Sequence, residues 1–445
     1  MIYKMAKLKK SLGLFDGISL LIGITIGSAI FATPQIIAGY TNSFTLIIIL
    51  WLAVSLFVYV GSLIYAELGS RFPNTGGEYI YIREAFGPFW GFIFGWSQLI
   101  IIRTSPAAGI SLITANYLGY FIPMSQFEKI IASIIIIIIF GTINYIGVER
   151  ASFYNKFSTL IKTLGITIFT VAGLAMFEGD FLKLSETASV TENLGTIGNI
   201  VAALMLILFS YLGWDRVGYI AGEMKEPQKV IPKTMFYGIS TIAILYISAN
   251  ILYHTVLGME GVRSSSIVAS DIASLLFGNL GASLMSITVI ISATGSINGT
   301  MMSASRLYYA MARDGMLFKW FDNIHPRFRT PSNAIVAHCI WGIVLLVIRQ
   351  NFETIVTGMV FTILIFYTFT TVAFFKFRKL DLGESGYRIP FYPFLPSIYL
   401  IGLASLVLLR IYYQFNLSIQ DLSFVLTGVP AYFIFFKNNK ILLEK

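Results

Sequence analysis

Charge is scarce in this chain and cysteine almost absent. Only 12% of its 445 residues are Asp, Glu, Lys or Arg, against 56% hydrophobic residues and a mean hydropathy of +0.77. No single water-soluble core can hide that much apolar surface, which excludes a soluble globular domain and indicates an integral membrane protein. Cys339 is the one cysteine, so no intramolecular disulfide can form, and its apolar surroundings favour inert packing. His254, His325 and His338 make no metal-ligand spacing with it, so no metal is expected. No nucleophile–base constellation, acid cluster within a span or phosphate loop is present, which argues against an enzyme and against a bound cofactor. The net charge of +9 reads as basic loops facing an anionic leaflet rather than as a nucleic-acid surface.

What the chain has in abundance is apolar runs near twenty residues long. Each can cross ~30 Å of hydrocarbon as a helix, whereas barrel strands would be shorter and alternating. Breaks at Pro, Gly and charge place twelve spans near 14–39, 44–69, 89–118, 129–147, 153–176, 197–222, 234–257, 280–312, 333–349, 354–375, 394–413 and 418–436. The lysines at 4, 7, 9 and 10 precede the first span without a small-residue cleavage site, so that end is expected to be retained and cytosolic. With it inside, the outer side holds only Lys129, Lys183, Arg263, Arg349 and Arg410 of the 31 basic residues, apart from three within spans. That asymmetry predicts a multi-pass protein of the cytoplasmic membrane, in contact with lipid, with both termini cytosolic.

Two spans carry interruptions. Gly23-Ile24-Thr25-Ile26-Gly27-Ser28-Ala29-Ile30-Phe31 puts three small residues in a row inside the first, and Phe209-Ser210-Tyr211-Leu212-Gly213-Trp214-Asp215 does something similar in the sixth. Non-helical backbone at membrane depth survives only where protein buries it or where it lines a cavity. Paired interruptions at matching places in two halves indicate an inverted repeat with its site at the centre. The expected halves are 12–183 (helices 1–5) and 197–380 (helices 6–10), which lie upside down to each other, with 390–437 (helices 11 and 12) peripheral. A half-helix N-terminus favours a carboxylate, and a half-helix C-terminus with unwound carbonyls suits an ammonium. Together they suit a zwitterion, of which an α-amino acid is the commonest small example.

Several stretches, taken in order, carry a family resemblance. Gly23 to Phe31 is followed by Ala66-Glu67-Leu68-Gly69, Phe72-Pro73-Asn74-Thr75-Gly76-Gly77-Glu78-Tyr79 and Phe86-Gly87-Pro88 through Gly95-Trp96. Then come Ile102-Arg103-Thr104-Ser105, Gly213-Trp214, Gly222-Glu223-Met224-Lys225-Glu226-Pro227 and Ile231-Pro232. Late in the chain stand Ala310-Met311-Ala312-Arg313-Asp314-Gly315, His325 to Pro331 and Tyr387-Arg388-Ile389-Pro390. In this order they resemble the amino acid–polyamine–organocation superfamily, and within it the L-amino-acid transporter light chains and their prokaryotic relatives. Ala29 stands where that pattern has its last glycine, and the proline after Arg103 is displaced to Pro106.

The resemblance implies an all-α LeuT-like 5+5 inverted-repeat fold with broken helices 1 and 6, and amino acid transport by alternating access. Backbone amides at Gly27, Ser28 and Ala29 are expected to hold the α-carboxylate, and carbonyls near Ile24 and Phe209 the α-amino group. A methyl at Ala29 is expected to restrict positive φ and narrow the space beside the ligand. Phe209 and Trp214 resemble the aromatics that cap the side-chain pocket. Lys162 lies about ten residues into span five, too deep to snorkel easily, and an intramembrane lysine is a functional candidate by default. The resemblance puts its ammonium where related transporters bind Na⁺, with Ser292, Thr294 and Ser296 as possible acceptors, and so implies sodium-independent transport. Arg103 is also deep, either tuning the substrate through its charge or pairing with Asp215. Glu67, Arg71, Glu223, Lys225 and Arg313 read as gate or packing salt bridges. Light chains join a heavy chain through a cysteine between spans three and four; the stretch from Gly119 to Glu128 has none, so no disulfide-linked heavy chain is expected. Exchange is the expected activity, with proton-coupled uptake of an amino acid or amine as the alternative. A sensor or channel on the same fold would belong to a different class.

Overall fold

The computed structural model describes residues 12–72, 77–176, 181–215, 224–380 and 386–436. Its named elements are all helical, and the only β-type pairings among the described residues are isolated bridges, Leu12 with Met224 and Ser43 with Thr187. The protein is therefore an all-α, multi-pass membrane protein. Among the described residues eleven helices are long and apolar enough to cross a membrane, and Gly195–Tyr211 is a shorter apolar helix.

The first span is α1 (Leu14–Thr25), a short 3₁₀ turn (Ser28–Phe31) and α2 (Thr33–Tyr40). Ile26 and Gly27 between them are extended, so the interruption falls inside the small-residue stretch. Then α3 (Phe44–Arg71), capped by Ser43, crosses to α4 (Glu78–Phe86). The third span is α5 (Pro88–Ser97), a π-helical segment (Gln98–Ile102) and α6 (Ser105–Leu118). Its enclosure is the most complete of all, which fits a helix surrounded by other helices. Ser125 and Glu128 form a capping box that starts α7 (Gln126–Ile146), and Gly147 separates it from α8 (Val148–Met176). Lipid-facing stripes are plain on α3, α7 and α8, where Leu56, Ile135 and Ile168 are exposed.

The second half opens with α9 (Gly195–Tyr211), which stops at Leu212 and at Gly213, whose φ of +120° a side chain would oppose. Residues 216–222 of the expected sixth span lie outside the described residues, as do the lysines of the first ten positions, Pro73 to Gly76 and Glu223. Next come α10 (Pro227–Ser264), α11 (Val268–Arg313), α12 (Ser332–Arg349), α13 (Phe352–Lys379), α14 (Phe394–Tyr413) and α15 (Phe415–Leu426). Non-helical glycines at 258 and 278 divide α10 and α11, so each carries a short extra helix beyond the expected span.

Two polar clusters fix the periphery. Buried Glu67 on α3 takes Arg71 at 2.9 Å, Arg378 at 3.4 Å and the Ile389 amide at 2.8 Å, which pins the Tyr387 to Pro390 motif against α3. Asp421 on α15 pairs with Arg349 (2.6 Å) and Arg410 (2.8 Å), joining α12, α14 and α15. Removing one member of such a buried set costs ~3–5 kcal/mol because a charge is left unpaired.

Candidate functional site

The two interruptions meet. Gly213 lies so close to α1 that a Cβ there would sit 2.7 Å from Ile24 Cγ2 and 3.3 Å from Thr25 Oγ1. Gly27 in turn approaches α11, where a Cβ would lie 3.4 Å from Ser296 Oγ. Three ties hold this junction. Tyr246 of α10 places its hydroxyl 3.1 Å from both the Thr25 and the Ser210 carbonyl oxygens, one from each interruption. Thr33 Oγ1 and Ser210 Oγ are 3.2 Å apart, and Tyr117 Oη donates to the Phe31 carbonyl at 3.1 Å.

A cavity of about 310 Å³ opens beside the junction. Ile24, Gly27, Ser28 and Ala29 line it from the first span, Phe209 and Asp215 from the sixth, Arg103 from the third, Lys162 from α8 and Ser296 from α11. The lining continues past Asn155, Gln98 and Ser303 to Glu78 on α4, so it runs from the interruptions toward the face that carries α4. Its other walls are apolar: Ile102, Pro106, Ile110, Met359 and Ile363.

Three predicted residues stand elsewhere. Trp214 is outside this lining, edge-on to Tyr65 with centroids 4.9 Å apart and 5.4 Å from Tyr367. Thr294 shares a 2.7 Å hydrogen bond with Tyr154. Ser292 is fully buried, and its hydroxyl has no hydrogen-bond partner among the described residues. Arg103 and Asp215 form no ion pair there either; the guanidinium Nε donates instead to Gln98 Oε1 at 2.9 Å. Ala29 lies in the right-handed 3₁₀ turn and is not among the positive-φ residues, so its methyl is not strained; it only narrows the cavity.

The carbonyls at the interruptions are partly engaged. Phe209 O accepts from the Leu212 amide at 3.1 Å, and Tyr246 serves Thr25 and Ser210. By contrast Thr25 Oγ1 and Ser28 Oγ are buried without a hydrogen-bond partner among the described residues. Orphaned hydroxyls beside a cavity require an explanation, and a bound polar ligand or water supplies one.

Glu78, which the sequence offers only as part of a motif, lines the cavity with its carboxyl buried. Its Oε1 accepts from Tyr65 Oη (2.7 Å) and Thr370 Oγ1 (2.9 Å). Burial, reinforced by the Asp215 charge, pushes its pKa up to about 8, against the opposing pull of those two hydrogen bonds and of Arg103. Tyr246 and Phe352 had no sequence signal at all: each is one aromatic among many, and only packing brings them to the junction.

Away from α4 the cavity wall includes Phe209. Phe209 meets Phe352, the first residue of α13, with centroids 5.7 Å apart at 74°. Among the described residues no group of three or more His, Cys, Asp and Glu is placed to hold a metal ion.

A polytopic helical protein with a central cavity where the break of its first span meets the end of α9 is built as a membrane transporter. The chain belongs to the amino acid permease family, whose model matches residues 12–436, and it is a transporter rather than an enzyme. It is 33% identical to a serine/threonine exchanger of Bacillus subtilis over 406 residues, covering 89% of this chain and 90% of that protein. It is 29% identical to the human large neutral amino acids transporter small subunit 2 over 438 residues, 96% of this chain and 80% of that one. With a mouse b(0,+)-type amino acid transporter 1 the identity is 28% over 445 residues, 97% and 89% of the two chains.

Proposed function

We propose that this protein exchanges L-amino acids across the cytoplasmic membrane by alternating access, without sodium. The observation that carries the reading is the junction itself, where the break of the first span abuts the end of α9 beside a cavity with both polar and apolar walls. The α-carboxylate is assigned to the backbone amides at Gly27, Ser28 and Ala29, the first donors after the interruption, with the orphaned Ser28 hydroxyl beside them. The α-amino group is assigned to the carbonyl side, near Ile24 and Phe209, where Tyr246 already marks two carbonyls as acceptors. Side chains then face Ile102, Pro106, Ile110, Met359 and Ile363. The Bacillus relative's name, serine/threonine exchanger, supports the exchange mode.

Within this reading residues 12–183 and 197–380 are the two inverted halves, and 390–437 is peripheral. Lys162 supplies the fixed positive charge that replaces sodium, on the same cavity as Ser296. The α4 face is cytosolic because Arg71, Arg83, Arg306, Arg313 and Arg378 gather there, and the Phe209–Phe352 pair closes the outer side. No cysteine lies between α6 and α7, and Cys339 sits on α12, so a disulfide-linked heavy chain is not required.

Glu78 favours a second reading, proton-coupled uptake, because a carboxyl with a pKa near neutrality lines the cavity. Proteoliposomes in sodium-free buffer separate the two. Exchange predicts labelled amino acid uptake only into vesicles preloaded with unlabelled amino acid, whereas proton coupling predicts uptake into empty vesicles under a pH gradient.

A further inference from the structure

A second cavity, of about 380 Å³, lies on the outer side of the Phe209–Phe352 pair, and Phe352 belongs to its wall. That aromatic contact is therefore part of the partition between the two chambers. The outer chamber is bipolar: Lys129 and Arg263 face it together with Glu192 and Glu353. Yet Lys129, Glu192 and Glu353 form no ion pair among the described residues. Opposite charges that share a chamber without pairing leave both signs available to a guest carrying both.

The chamber is built rather than incidental. Glu192 is fixed by its own amide and that of Thr191 to the Gly39 carbonyl, and Asn199 Nδ2 donates to the Glu192 carbonyl at 2.8 Å. Arg263 donates to the Ser189 carbonyl and to Glu260, which holds the loop that carries Glu192. Glu353 follows Phe352 directly, and its Oε1 accepts a 2.5 Å hydrogen bond from Tyr40 at the end of α2. That bond clamps α2, the outer half of the first span, to α13.

Resting on the exchange reading, we infer that the outer chamber is a capture site for zwitterionic amino acids. It holds the carboxylate at Lys129 and the ammonium between Glu192 and Glu353. When the ammonium takes Glu353 from Tyr40, the clamp between α2 and α13 is released beside Phe352, so capture and outer opening are one event. A solute with a single charge satisfies only half of the chamber and gains less from it.

The test compares the two sides of the membrane. Uptake of labelled L-threonine or L-leucine into whole cells reports the outer KM, and uptake into inverted membrane vesicles the inner KM. The Lys129→Gln/Glu192→Gln double variant raises the outer KM by about fivefold and leaves the inner KM within about twofold, the scale of two partly exposed charge contacts. Tyr40→Phe removes the competitor for Glu353 and lowers the outer KM, a change that damage to the fold does not produce. An unchanged outer KM in the double variant, an equal rise on both sides, or no fall with Tyr40→Phe overturns the capture site. Failure of the wild-type protein to exchange either amino acid would instead overturn the reading it rests on.

Discussion

Phe209, in the wall of a cavity of about 310 Å³, and Phe352, in the wall of another of about 380 Å³, touch edge to face with 5.7 Å between ring centroids, so their contact forms part of the partition between the two. Phe209 lies in the last turn of α9, which ends at Tyr211, and Phe352 begins α13, so the contact joins two helices near their ends.

Replacing either ring by alanine opens that partition. An edge-to-face pair contributes ~0.5–1.5 kcal/mol beyond its buried area, so Phe209→Ala and Phe352→Ala each weaken substrate occlusion by up to about tenfold. The double variant adds little to either single one because the same contact is lost. Retention of labelled amino acid on the purified protein measures this; full additivity would show that the rings act separately.

Tyr246 is the next lever. A hydroxyl has one proton, so it donates to the Thr25 or to the Ser210 carbonyl at any moment and ties both interruptions to α10. Tyr246→Phe keeps the buried ring and removes only the tie. The expected result is a fall of about five- to tenfold in kcat/KM with the melting temperature in detergent little changed. Unaltered kinetics would show that the junction holds its shape without the hydroxyl.

Lys162 is buried and lines the cavity. Its replacement by methionine preserves length and removes the charge. Uptake is predicted to fall more than about tenfold, while wild-type uptake is the same in sodium and in choline buffer. Sodium-dependent uptake by the wild-type protein would remove the role assigned to this lysine.

Glu78 gives a pH dependence of known sign. Its carboxyl holds its proton to about pH 8 in the folded protein against 4.5 ordinarily, so between those values the folded state binds the extra proton. This contribution is fully present below pH 4.5 and is lost as pH rises through about 8. The melting temperature in detergent is predicted to decline across that window, and Glu78→Gln flattens the decline. A wild-type profile that rises from pH 5 to 8 and is unaltered by the substitution contradicts the assignment.

The helices were legible because burial in lipid demands long apolar runs, and the interruption at Ile26 and Gly27 was legible because Gly27-Ser28-Ala29 breaks such a run. Side-chain direction after an interruption was not. Gly213 turns at φ +120°, and this sends Trp214 into the cluster with Tyr65 and Tyr367 rather than into the cavity. Ala29 misled for a related reason: a missing glycine suggests lost positive φ, but the 3₁₀ turn does not use it. Tyr246 and Phe352 were invisible because their importance lies in partners far away in sequence, and aromatics are 15% of the chain. The short helices beyond Gly258 and Gly278 escaped because Glu260, Arg263 and Asp271 interrupt the apolar runs there.

The junction of the two interruptions as the amino acid site is tested most directly by counterflow of a labelled amino acid in sodium-free proteoliposomes, wild type beside Ala29→Trp. Ala29 is buried in the cavity wall, and an indole there fills the space assigned to the α-carboxylate. Counterflow by the wild-type protein and none by an Ala29→Trp protein that elutes and melts normally is the predicted result. Equal counterflow by both would contradict it.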